Sequence, residues 1–182
     1  MPASPSEYVP QFAVDRRPLL VWSLLAGFCL LIMTMIIGAP LAWAGGHGSW
    51  AAVCYATFSH LCHQIPERSF SIAGHQFAVC SRCTGIYGGF SVATLGYPLL
   101  RSLRRTDTPA RIWLFLAAAP VGIDFALGYF GIWENTHLSR FVTGALLGSV
   151  AVLYVMPGLI ELSLKDWRRK TVGSRQTAGG SS

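Results

Sequence analysis

Charge is what this chain has least of. Only 12% of its 182 residues are Asp, Glu, Lys or Arg, where a soluble domain carries about a quarter. Hydrophobic residues make up 52%, and the mean hydropathy is +0.46. That balance excludes a soluble globular domain and makes the bilayer the solvent. Several motifs are missing too. There is no Gly-rich phosphate loop, no metalloprotease helix motif, no nucleophile-elbow serine and no internal repeat.

What is present is apolar length. Residues 19–42, 84–100, 112–132 and 141–162 each reach the roughly 17–25 apolar residues that cross a hydrocarbon core of about 30 Å, and none contains Lys or Arg. The expected fold is all-α, a single domain over residues 16–164 with four transmembrane helices. Residues 1–15 and the basic tail 165–182 are expected to be disordered. Eleven of the fourteen Lys and Arg flank one side of these spans: Arg16, Arg17, Arg101, Arg104, Arg105, Arg111, Lys165, Arg168, Arg169, Lys170 and Arg175. The positive-inside rule then puts both termini in the cytoplasm of a cell with an inner (plasma) membrane. The net charge of +6 follows from topology, and no nucleic-acid partner is needed. Arg16-Arg17, the apolar run and Ala42-Trp43-Ala44 imitate a signal peptide, but a run of about 21 residues exceeds the usual 7–15 and favours an uncleaved helix.

The cysteines fall on the other side. Within residues 49–65, Trp50, Val53, Cys54, Thr57, Phe58, Leu61 and Ile65 follow i, i+3, i+4 spacing, which predicts an outer amphipathic helix stopped by Pro66. Its end would present His60, Cys62 and His63, while Cys80 and Cys83 stand just before the second span. Three chemistries suit this cluster. Cys62, Cys80 and Cys83 with His63, or His60 in its place, can bind zinc or another thiophilic ion, and His75 can complete such a shell. Cys80 and Cys83 can instead be a redox pair at a helix N-terminus beside Arg82, with Cys54 or Cys62 as exchange partner. A disulfide staple is the plain structural alternative, with Cys54–Cys62 the least suited pair at about 12 Å along one helix. Cys29, inside the first span, reads as a small buried residue.

Arg68, Arg82 and Arg140 are the three cations on the cysteine side. They suit an anion or lipid headgroup, with Gln64 and Tyr87 able to orient it, or else they snorkel and pair with Glu67 or Glu134. Asp124 is the one acid deep in a span. Counted from Trp133 it lies about 13 Å down, near the midplane, and with Arg82 it is a candidate catalytic group. Its structural reading is a hydrogen bond to Ser91, Thr94 or Thr143. Gly85, Gly89 and Gly96, with Gly144 and Gly148, are spaced for close helix approach, and transport would require a homo-oligomer.

Cys62-His63-Gln64, Pro66-Glu67-Arg68-Ser69-Phe70 and the run from Cys80-Ser81-Arg82-Cys83 through Thr84-Gly85-Ile86-Tyr87-Gly88-Gly89-Phe90 resemble the signature of the domain-of-unknown-function 2085 family of small prokaryotic membrane proteins. The resemblance extends to Asp124 and the stretch from Arg140 to Gly148, covering about residues 60–150. Phe125 and Gly128 depart from it, standing where the family pattern carries a Gly and a Gln. The resemblance implies a membrane protein with a site at these residues and names no reaction.

Overall fold

The structure is a computed structural model that describes residues 16–103 and 105–178, with side chains described as far as Lys165. Residues 1–15 and 179–182 lie outside it, and residues 165–178 of the tail expected to be disordered continue the last helix. The chain is mostly helical: α1 (Arg17–Ala44), α2 (Gly48–Ser59), a 3-10 turn (Pro66–Arg68), strands β1 (Ser71–Ile72) and β2 (His75–Gln76), then α3 (Ser81–Leu100), α4 (Ile112–Tyr129) and α5 (His137–Ala178). Three helices among the described residues are long and apolar enough to cross a membrane: α1, α4 and the His137–Lys165 part of α5. α3 is not among them, although four spans were expected. Its 20 residues bury Ser81, Thr84, Ser91 and Thr94 together with Gly85 and Gly89, so small and polar groups take places that Leu or Ile fill in a lipid-facing helix. The hydroxyls of Thr84 and Ser91 donate to the carbonyls one turn back, at Cys80 (3.1 Å) and Tyr87 (2.7 Å), which makes their burial tolerable.

Small residues let α3 lie backbone to backbone against α5. A Cβ on Gly85 would strike the Phe141 backbone, one on Gly89 the Ala145 backbone, and ones on Gly144 and Gly148 the carbonyls of Arg82 and Ile86. The expected glycine seam is therefore real at four positions and absent at the fifth, since a Cβ on Gly96 meets nothing within 4 Å. α1 joins on another side, where Trp22 Nε1 donates to the Thr94 carbonyl at 2.7 Å and Cys29 is buried beside the Thr94 hydroxyl.

Two apolar clusters hold the ends. Tyr97, Val152, Met156 and Ile160 form one. Ile36, Ala39, Cys54, Phe58, Cys62, Ala78 and Val79 form the other, which seats α2 and the cysteine loop on α1. α2 is shorter than the expected 49–65 helix and ends at Ser59, well before Pro66. Leu61 and Cys62 N–H both donate to the Phe58 carbonyl at 3.0 and 2.9 Å. Gln64 then turns left-handed (φ 51°) and Ile65 is extended, the conformation that a following proline favours. The stretch between the 3-10 turn and α3 contains a β-hairpin whose two turn residues, Ala73 and Gly74, both have positive φ, the signature of a type I′ turn.

Candidate metal centre and arginine cavity

Gln64 closes the loop that carries the first cysteine. Its amide donates to the carbonyls of Tyr55 and Ala78, both at 2.8 Å, and its own carbonyl accepts from Gln76 Nε2 at 3.1 Å. The side chain is spent on backbone and does not orient a ligand. This clasp holds Cys62 against Cys80, the residue that precedes α3. The Cys80 N–H donates to Cys62 Sγ at 3.2 Å, and Ser81 Oγ donates to the Arg68 carbonyl at 2.8 Å. Cys83 follows one turn into α3 and completes the group.

The sulfurs of Cys62, Cys80 and Cys83 all lie within 4.8 Å of one another. All five cysteines are free thiols. No histidine joins the group among the described residues. His63 lines the adjoining cavity, because α2 has already ended and residues 62 and 63 diverge. His60 follows the last residue of α2 and stays outside the group. His75 lies 6.2 Å, centroid to centroid, from the Trp43 ring and completes no shell. Cys54 is fully buried in the α1–α2 core, and burial pushes its thiol pKa up. A sealed, protonated thiol is a poor exchange partner.

Cys80 is the opposite case. A hydrogen bond from the Cys83 thiol, joined by the Cys83 N–H, Cys62 and the Arg82 N–H, outweighs burial and lowers its pKa from 9.0 to about 5. Because the folded value is depressed, this contribution to stability is complete above about pH 9 and is lost as pH falls through about 5. In chelator-treated protein, alkylation of Cys80 should hold a level rate from about pH 9 down to about pH 6 and decline only nearer 5. Peptide mass spectrometry reads this directly, and a rate falling tenfold per pH unit below 9 would contradict the hydrogen-bonded thiolate.

Beside the sulfurs is a cavity of about 270 Å³, reached by Arg68, Arg82 and Arg140 and walled partly by Leu61, Ile65, Phe125 and Tyr129. Arg82 forms an ion pair with Asp124 and lies over the Phe125 ring, 5.7 Å from its centroid. Neither Glu67 nor Glu134, the alternative partners, forms an ion pair with the three arginines among the described residues, and Asp124 pairs with Arg82 instead. The depth expected for Asp124 also changes. α4 ends at Tyr129, so five residues separate Asp124 from the helix end. That is about 7.5 Å, which leaves Asp124 within reach of the Arg82 side chain between Cys80 and Cys83.

Its partners are not Ser91, Thr94 or Thr143. Ser139 Oγ donates to Asp124 Oδ1 at 3.0 Å, and the Asn135 amide donates to the Asp124 backbone carbonyl. Asn135 lies in the turn just before α5 and Ser139 in its first turn, where Thr136 Oγ1 accepts from the Ser139 N–H. Sequence reasoning missed Asn135 and Ser139. The available signal was the helix-opening pattern Asn135-Thr136 three residues ahead of Ser139, together with Gly128, whose missing side chain leaves room for the Asn135 amide. Asp124→Asn should therefore be far from silent. It strips the counter-charge from an Arg82 side chain that is only 21% exposed. A loss on the order of 2 kcal/mol is expected, read as a lower melting temperature in detergent, and an unchanged melt would show that Asp124 does not hold Arg82.

Apolar helices with a thiol and arginine site gathered at one end define a helical integral membrane protein. The chain belongs to the family described as predicted membrane protein (DUF2085), whose family model matches residues 62–154 and so spans the site from Cys62 to Arg140. An uncharacterized protein of Methanocaldococcus jannaschii is 32% identical over 148 residues, covering 79% of this chain and 95% of the relative. An uncharacterized protein of Methanothermobacter thermautotrophicus is 41% identical over 97 residues, 53% of this chain and 86% of the relative. No solved structure matches.

Proposed function

We propose that Cys62, Cys80 and Cys83 hold zinc or another thiophilic metal ion beside the arginine-lined cavity. The observation that carries this reading is the mutual approach of three sulfurs within 4.8 Å. Ligands at a Zn–S distance of about 2.3 Å stand roughly 3.8 Å apart around a tetrahedral ion, so only small adjustments separate the thiols from a binding set. The N–H bond from Cys80 to Cys62 Sγ is the kind of supporting contact that steadies a thiolate ligand. Three protein ligands leave a fourth position for water or a ligand, the pattern of open zinc sites. Asp124, with Ser139 behind it, fixes Arg82 at the cavity wall. Elemental analysis of purified protein, with free thiols counted on the same sample, tests the reading: about one thiophilic ion per chain supports it.

A second reading rests on the acidic Cys80 thiol next to Cys83. The same pair can cycle between dithiol and disulfide. Metal-free protein with Cys80 and Cys83 reversibly oxidised would favour that role.

The proposed setting is a plasma membrane, with α3 as a fourth span whose polar face is covered by α5, both termini cytoplasmic and the cysteine end outside. Reporter fusions after Arg105 and after Lys170 should both read cytoplasmic, and one in the 65–75 loop should read outside. A cytoplasmic signal from that loop would move the thiols to a reducing compartment and overturn the orientation.

A further inference from the structure

We infer that the arginine-lined cavity is a binding site for a phosphate-class oxyanion, held chiefly by Arg68 and Arg140 at the edge of the sulfur trio. The inference goes beyond the metal reading, since no arginine belongs to the trio.

Charge is the first argument. Three guanidinium groups reach one cavity and a single carboxylate, Asp124, pairs with one of them. Counting the Cys80 thiolate with Asp124, three positive charges against two negative leave one. Arg140 lies within electrostatic reach of Arg68 and Arg82 as well as of Asp124 and Cys80, so the like charges gathered here are only partly offset. Such an arrangement is stable when an anion shares them.

Burial is the second. The Nε atoms of Arg82 and Arg140 are buried with no hydrogen-bond partner. A snorkelling arginine extends its head into water and keeps those donors hydrated. These two do the reverse, and desolvated N–H donors without acceptors are costly. Because the buried Nε atoms are closed to a water-sized group, an oxyanion in the cavity satisfies them only as the two side chains shift toward it.

Valence selects the ligand. One carboxylate is served by one guanidinium, as Asp124 already is by Arg82. Two further guanidinium groups around the same space suit an anion with three peripheral oxygens and more than one charge, which the planar fork recognises bidentately. About 270 Å³ accommodates a phosphoryl group with a small substituent, and the flanking Phe125 and Tyr129 give that substituent an apolar wall. The same chemistry is offered by free phosphate and by a phospholipid headgroup.

The test uses full-length protein in a phosphate-free maltoside detergent, probed with inorganic phosphate and separately with mixed micelles containing short-chain phosphatidic acid. Binding is read by ³¹P line broadening and by the rise in melting temperature. Wild type should bind at least one probe saturably. Arg68→Ala and Arg140→Ala should each weaken it at least tenfold, Arg140→Lys should weaken it less by keeping the charge without the fork, and Arg101→Ala at the opposite helix end should change nothing. Binding of both probes in competition identifies a site open to free phosphate, and binding of the lipid alone identifies a headgroup site. If Arg140→Ala fails to fold, the Arg140→Lys and Arg68→Ala variants carry the comparison. Metal content should be unchanged in Arg68→Ala, which separates this outcome from failure of the metal reading. The inference is overturned if neither probe binds, if acetate at equal concentration displaces phosphate, or if the arginine variants bind as wild type does.

Discussion

Cys62→Ser, Cys80→Ser and Cys83→Ser should each reduce the metal content of purified protein from about one ion per chain to near zero, whereas Cys54→Ser and Cys29→Ser should leave it intact. The expectation follows from which sulfurs converge. Three ligands are the minimum for a tight thiolate site, and loss of one leaves two sulfurs and water, a set that competes poorly with chelators and buffer. Cys54 is sealed in the α1–α2 core and Cys29 is buried next to Thr94, so neither sulfur joins the trio. The folding effects should run the other way. Cys54→Ser puts a hydroxyl into a fully buried apolar place and should lower the melting temperature even though metal is retained. Equal metal loss in all five variants would point to general unfolding instead of a site.

Gly148→Leu should prevent assembly of the bundle. A Cβ at that position meets the Ile86 carbonyl and the Phe90 N–H group of α3, and backbone cannot rotate aside as a side chain can. The helices would have to separate along the seam that positions Cys83 and Arg82 on one side and Arg140 on the other. Overpacking typically costs about 1–3 kcal/mol in a soluble core, and a backbone clash at a seam of four glycines belongs at or above the upper end. Gly96→Leu is the matched control, with the same change on the partner helix α3 and open space around it. Detergent unfolding curves should therefore show Gly148→Leu poorly folded and Gly96→Leu close to wild type. Similar curves for the two would mean that α3 and α5 are not in backbone contact.

These contrasts mark where sequence reasoning reached and where it stopped. Membrane class, the helices α1, α4 and α5 and the gathering of Cys62, Cys80 and Cys83 were legible, because apolar length and local Cys spacing act within a few residues of chain. Two features depended on distant partners. The apolar spacing of residues 49–65 pointed to one helix through Ile65, yet α2 stops at Ser59, and Gln64 folds back to carbonyls of Tyr55 and Ala78, the second of which is 14 residues away. Periodicity carries no record of that clasp. Asp124 was placed near the midplane by counting from Trp133, but α4 ends earlier, at Tyr129, and a turn with Gly131 at φ 66° follows. Its true partners, Arg82 and Ser139, lie 42 and 15 residues away.

His63 lines the cavity but stands apart from the sulfur group for a related reason. Adjacent residues at a helix end point in different directions, and only a fold that turned the chain a second time would have brought Cys62 and His63 to one centre. Arg68, Arg82 and Arg140 share a cavity as their common side of the membrane suggested, but no acid near them in sequence neutralises them. Asp124 on α4 does so for Arg82 alone.

X-ray absorption at the metal edge of the full-length protein, purified without added metal and without strong chelators, tests the central claim most directly. Zinc in the site described here should show about three sulfur scatterers near 2.3 Å with one lighter atom completing the shell. Protein that carries no stoichiometric metal, or a metal surrounded only by nitrogen and oxygen while Cys62, Cys80 and Cys83 remain titratable as free thiols, would contradict it.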